Sequence, residues 1–167
     1  MLTLSQRQAL KADIAADGTL SQLTHTADNA FAIALAYGQF VVPDYLVWRT
    51  SVEVTEIMLN GFDWTRVDNL SVGKARIWAW MTALGTINPS KQNIMAGIDA
   101  TWVGTAQDLA VRAAVYTHCY RYCRRIEKLF ATATSGGSGT RGSTANPDMM
   151  GYEGTIEYQD VLDAWAS

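Results

Sequence analysis

The sequence predicts a mainly α fold: a small helical bundle around one long helix at about 105–131, with a flexible Gly/Ser loop and an extended C-terminal tail. Three observations carry this. Residues 105–131 (TAQDLAVRAAVYTHCYRYCRRIEKLFA) hold no Gly or Pro, and Leu109, Tyr116, Cys119, Cys123, Ile126 and Phe130 recur at steps of three, four and seven. That is the period of one helical face, and at ~1.5 Å per residue such a helix spans about 40 Å. Upstream, cap residues and glycines alternate with short apolar runs, which delimits a series of shorter helices. Downstream, residues 132–148 (TATSGGSGTRGSTANPD) hold almost nothing that packs, so they read as a flexible loop or arm.

Taken in order, residues 5–16 form a helix with Leu10 and Ile14 on one stripe, closed by Asp17-Gly18. Thr26 caps a run from Ala27 to Gln39 that is apolar almost all round, which predicts burial on every side. Val42-Pro43 breaks it, and Tyr45-Leu46-Val47-Trp48 is short, apolar and extended. Thr50-Ser51-Val52-Glu53 offers a capping box for a helix at about 51–60, with Gly61 just past its end. Ser71 opens another helix, closed by Gly85. Asn88 as N-cap with Pro89 at the first helical position starts a third, which runs to about Trp102. Thr105 and Asp108 make a capping box for the long helix. Beyond the loop, Met149, Met150, Tyr152, Ile156 and Tyr158 suit an extended segment, and 159–165 a short helix. The domain reading is therefore a helical bundle at 1–131, a loop or arm at 132–148, and a C-terminal extended segment with a short helix at 149–167.

Composition narrows the function classes. A chain of 167 residues that is 49% hydrophobic with six Trp can bury a core. The net charge of −3 argues against a dedicated nucleic-acid binder. No window approaches the ~18 uninterrupted apolar residues of a membrane span. The N-terminal residues lack the basic start and apolar run of a secretory signal. Two Cys give no disulfide framework.

Motif by motif, no catalytic constellation assembles. Gly137, Gly139 and Gly142 match GxGxxG, but the dinucleotide fingerprint needs a strand before it and a helix beginning within it. Here a helix precedes it and Ser-Thr-Ala-Asn-Pro follows. Gly73-Lys74 resembles a phosphate loop only in that pair, since Asp68 and Ala75 occupy the positions that need Gly and a hydroxyl. Cys119 and Cys123 sit four apart near His118, yet a tetrahedral metal site needs further ligands, and core packing explains them better. Glu53 and Glu56 share a face, but paired carboxylates serve catalysis only across a cleft. No metal and no cofactor are assigned.

The basic set Arg121, Arg124, Arg125 and Lys128 crowds the end of the long helix, and Arg141 lies in the loop. It is a solvated helix end favoured by the macrodipole, a contact with a protein neighbour, or a sequence-independent contact with DNA phosphates. The interleaved Tyr116, Tyr120 and Tyr122 favour an interface.

Several phrases together resemble a known family: Val47-Trp48-Arg49-Thr50-Ser51-Val52, Glu56-Ile57-Met58, Asn60-Gly61-Phe62, Val72-Gly73-Lys74-Ala75-Arg76-Ile77-Trp78, Ile87-Asn88-Pro89-Ser90-Lys91, Gly151-Tyr152-Glu153-Gly154 and Gln159-Asp160-Val161. The series is similar to small proteins from the structural modules of tailed bacteriophages and prophages, of head–tail connector (adaptor) type, and spans roughly residues 3–165. The resemblance implies a non-enzymatic virion protein at the neck between head and tail, made in the host cytoplasm. It implies a homo-oligomeric ring of about twelve copies whose heterologous contacts set one patch against a different patch. The ring would sit beneath the portal protein, meet downstream neck or tail proteins, and touch packaged DNA non-specifically through Arg121, Arg124, Arg125, Lys128 and Arg141. It also implies that the loop and tail order on contact with neighbours. Alternatives are a capsid-decorating, tail-terminator or tail-associated protein, a small cell-wall hydrolase using Glu53 or Glu56, and a DNA-binding regulator using the basic set.

Overall fold

Side-chain caps start three helices where the sequence places them, at Thr26, Ser71 and Thr105, and Thr3 starts a fourth. In the computed structural model, which describes residues 1–137 and 139–167, Thr3 and Gln6 exchange capping bonds of 3.3 and 2.9 Å at the head of α1 (Leu4–Ala16). Thr26 accepts from the Asn29 amide at the head of α2 (Ala27–Gly38). Ser71 does the same for α4 (Val72–Thr82), and Gly85 follows it at φ +74°. Thr105 and Asp108 exchange two 3.1 Å bonds at the head of α6 (Ala106–Cys119). Among the described residues the chain is mainly helical, at 54% helix, with only short antiparallel strands.

The predicted long helix is divided in two. α6 ends at Cys119, β4 (Tyr120–Tyr122) follows, and α7 covers Arg125–Phe130. A partner strand is the cause. β1 (Leu46–Trp48) pairs antiparallel with β4, Leu46 opposite Tyr122 and Trp48 opposite Tyr120. The Arg49 amide donates to the Cys119 carbonyl at 2.8 Å and the Cys123 amide to the Tyr45 carbonyl at 3.0 Å. Tyr favours strands, and these cross-strand bonds replace the i→i−4 bonds that a continuous helix would make. The periodic apolar stripe is real, but it serves two cores instead of one face.

Two other starts differ from expectation. Thr50 donates its hydroxyl to Glu153 instead of capping a helix. Val52–Glu53 form β2 against β3 (Thr86–Ile87), so α3 is shortened to Val54–Leu59. Asn88 caps a turn through the Ser90 amide at 3.0 Å, and α5 (Gln92–Thr101) begins four residues on.

The buried side chains form two clusters. One gathers residues between Trp48 and Cys119, with Phe62, Trp78 and Trp102 at its centre. Their ring centroids lie 5.3–5.6 Å apart, Phe62 and Trp78 stacked and Trp102 edge-on to both. The other joins the chain ends: Leu2, Leu10, Ile14, Ala30, Ile33 and Tyr37 meet Ile126, Ile156, Val161 and Ala164. α8 (Tyr158–Ala166) lies against both α1 and α2. The C-terminal helix therefore contributes Val161 and Ala164, with Ile156 just before it, to this core.

α2 corrects a further expectation. Its inner face (Ala30, Ile33, Ala34, Tyr37) is buried, but Phe31 is 57% and Leu35 53% exposed. The neighbours packed on it, α8 and α7, reach one side only. Among the described residues of 132–148, the C-terminal part packs: Asn146 and Asp148 are buried. Thr132 bridges Met149, Asp148 bridges Val47, and the Trp48 indole donates to Thr134 at 3.0 Å.

Candidate interaction surface

β4, α7 and its N-cap carry four of the five predicted basic residues, and three of the five are neutralised within the molecule. Arg121 forks onto Glu127 at 2.7 and 2.9 Å and reaches Glu153 at 3.4 Å. Glu127 is 1% exposed and also accepts the amides of Arg124 at 2.8 Å and Gly154 at 3.0 Å. Burial alone raises a carboxyl, but the Arg121 guanidinium and these amides outweigh it and hold Glu127 below its usual range. Arg125 ties α7 to α1 through Asp13 at 3.1 Å and Asp17 at 3.0 Å, with its guanidinium 4.3 Å from the Tyr37 ring centroid.

Arg141 belongs to the loop and holds it down. Its Nε lies 3.0 and 3.1 Å from the oxygens of Asp148, a fully buried carboxylate that also accepts the Tyr45 hydroxyl. Burial, with Asp148 beside it, pushes the Tyr45 phenol up to about 12. Arg124 donates to the Gly38 carbonyl and covers the Phe40 ring at 5.1 Å, and Lys128 lies 4.9 Å from the Tyr45 ring centroid. Neither has a carboxylate at ion-pair distance among the described residues. The set is a stitch between units, with two cations held over aromatic rings, and it does not form an open basic strip.

The remaining candidates are occupied with structure. Cys119 and Cys123 are buried, and burial first of all raises their thiols to about 12 and about 11. Buried, protonated thiols of this kind are packing residues. No group of three potential metal ligands occurs among the described residues. Glu56 is bonded to Arg49 at 2.6 Å, with His118 Nδ1 3.6 Å away, and the Arg49 bond lowers its pKa. A general acid needs the opposite shift. Glu53 ends β2 on the exposed surface. Lys74 donates to the Val103 carbonyl at 2.8 Å. Of the GxGxxG run, Ser138 lies outside the described residues; Gly142 adopts φ +72° under the Tyr45 ring, and the chain then turns back through the Ser143–Asn146 bridge.

What the molecule leaves open is apolar. On the terminal unit, Phe31, Leu35, Phe40, Val42 and Tyr158 are exposed; on the central unit, Leu59, Trp64, Val72, Trp80 and Leu84 are. A groove of about 470 Å³ runs between α2 and residues 155–158. Sequence reasoning missed the groove because α2 reads as buried all round. It also missed the acids Asp13, Asp17, Glu127 and Asp148. Arg124 with Glu127, an N-cap and its third helical residue, is the one pairing whose spacing is visible in the sequence. No helix is long and apolar enough to cross a membrane among the described residues. No family model, curated protein or solved structure matches the chain.

Proposed function

We propose that this chain is a structural subunit of a tailed-phage virion, a head–tail connector that forms a ring beneath the portal protein and above the downstream neck or tail proteins. The observation that supports it most is the exposure of large apolar side chains on both units, in a molecule whose basic patch is in good part paired internally. Such surface marks an assembly subunit more than a free enzyme. The near-full-length resemblance supplies the station, and the mainly helical fold agrees with it. The reading assigns the chain no catalysis and places it at the neck after synthesis in the host cytoplasm.

Two parts of the expectation change. Contact with packaged DNA becomes a minor role, because Arg121, Arg125 and Arg141 already hold carboxylates. A neighbour that meets the described residues of 132–148 meets contacts already made within one copy by Arg141, Thr134 and Asp148. Cryo-electron imaging of virions carrying this protein tests the proposal: density for the helical domain at the neck supports it, and density in the tail tube or on the capsid exterior overturns it.

A further inference from the structure

We infer that copies of this chain join head to tail, the outer ridge of α4 on one copy seating in the α2 groove of the next. The inference rests on the assembly reading above and gives it two surfaces. The ridge is Val72, Arg76, Trp80 and Leu84, spaced by four along and just beyond α4. The opposite side of that helix, Trp78 and Met81, is buried in the central cluster. Trp80 and Leu84 stand 66% and 65% exposed. The Arg76 guanidinium lies 6.0 Å from the Trp80 ring centroid and has no carboxylate at ion-pair distance among the described residues.

The groove is its counterpart. Phe31 and Leu35 form one wall, Ala34 and Ile156 line it further in, and Tyr158 stands on the other side. Asp28, three residues before Phe31 on the same face, and Glu157 supply negative charge, and neither is in an ion pair among the described residues. Arg124, the groove's one cation, is already held at the Gly38 carbonyl and over Phe40.

Charge decides the pairing. Ridge on ridge brings Arg76 against Arg76, and groove on groove brings Asp28 and Glu157 against themselves; only unlike surfaces match apolar area and sign together. Trp and Arg are also the side chains that dominate interface energetics. α4 belongs to the central unit and packs on α5, whereas α2 belongs to the terminal unit and packs on α8 and α7. Each copy therefore offers one ridge and one groove, and a contact between unlike patches propagates until it closes.

Sedimentation velocity of the full chain from micromolar to millimolar concentration tests this. Trp80→Glu and Leu35→Glu change exposed positions, and thermal melts by circular dichroism verify that both variants fold. Each alone is expected to sediment as a monomer where wild type assembles. Their equimolar mixture is expected to give a one-to-one pair and nothing larger, from the one intact ridge and the one intact groove. Arg76→Asp is expected to weaken assembly at least tenfold, and adding Asp28→Arg with Glu157→Arg in the same chain to restore it. Wild type that stays monomeric throughout, a mixture that stays monomeric, or either single variant assembling like wild type overturns the contact. Virion imaging separates the two readings: assembly through this contact by a protein absent from the neck removes the connector proposal alone.

Discussion

The central unit is built around aromatic rings and the terminal unit around aliphatic side chains, and they close very different lengths of chain. Every buried member of the central cluster lies between Trp48 and Cys119. In the terminal unit, the Leu2 amide bonds Asp160 across 158 residues, and Arg7 pairs with Asp163 at 3.1 Å. Closing a longer stretch costs more entropy, and the two units meet that cost with different means. The central unit packs aromatic rings together and has ion pairs of its own, Arg66 to Asp108 and Arg49 to Glu56. The terminal unit adds ions to mainly aliphatic contacts, Arg7 to Asp163 and Arg125 to Asp13 and Asp17, with Arg121 on Glu127 at the seam. Of the basic residues that look like a partner-binding patch, Arg125 ties the N-terminal helix to α7 and Arg121 closes the seam.

The largest expected effect strikes the central unit. Trp102 is fully buried against Phe62 and Trp78, so Trp102→Ala is expected to cost about 3–5 kcal/mol in urea unfolding. A loss under about 1 kcal/mol would show that the ring cluster is not what holds this unit. Glu127→Gln strikes the seam next. It removes the buried charge that Arg121 grips and is expected to cost about 3 kcal/mol. An unchanged urea midpoint would contradict the role given to that pair.

Acid sharpens the same comparison. Bonds from Arg66 at 2.8 Å and from Thr105 lower the Asp108 carboxyl from 3.8 to about 2. Glu127 is lowered as well. A carboxyl depressed by folding stabilises the protein above its unfolded pKa, and that stabilisation drains away as pH falls toward the folded value. Unfolding by urea is therefore expected to become easier from about pH 4 down toward pH 2, and Asp108→Asn to flatten part of that decline. A variant with the wild-type acid profile would contradict the assignment.

Sequence legibility follows the same divide. Caps are local, so Thr26, Ser71 and the Thr105–Asp108 box were readable, as were the stops at Gly61 and Gly85. The break after Cys119 was not, because it depends on a strand more than seventy residues upstream. Periodicity reports that Cys119 and Ile126 are both buried but not that they enter different cores. Arg121, Arg124, Arg125, Lys128 and Arg141 were identifiable as a set, while Asp13, Asp17 and Asp148, which engage Arg125 and Arg141, come from remote or loop positions with no spacing rule. Phe31 and Leu35 were misread because an apolar composition shows what a helix can bury and not how many neighbours arrive to cover it.

Native-state hydrogen exchange on Arg125→Gln tests the central claim most directly, since the claim is that this basic set joins the chain ends to the body. Protection is expected to fall in α1, α7 and α8 while α4, α5 and α6 keep wild-type values, as selective opening of one unit requires. Unchanged protection in α1 and α8, together with lost affinity for duplex DNA, would show instead that Arg125 faces a partner and that the stitch is not what holds the terminal unit.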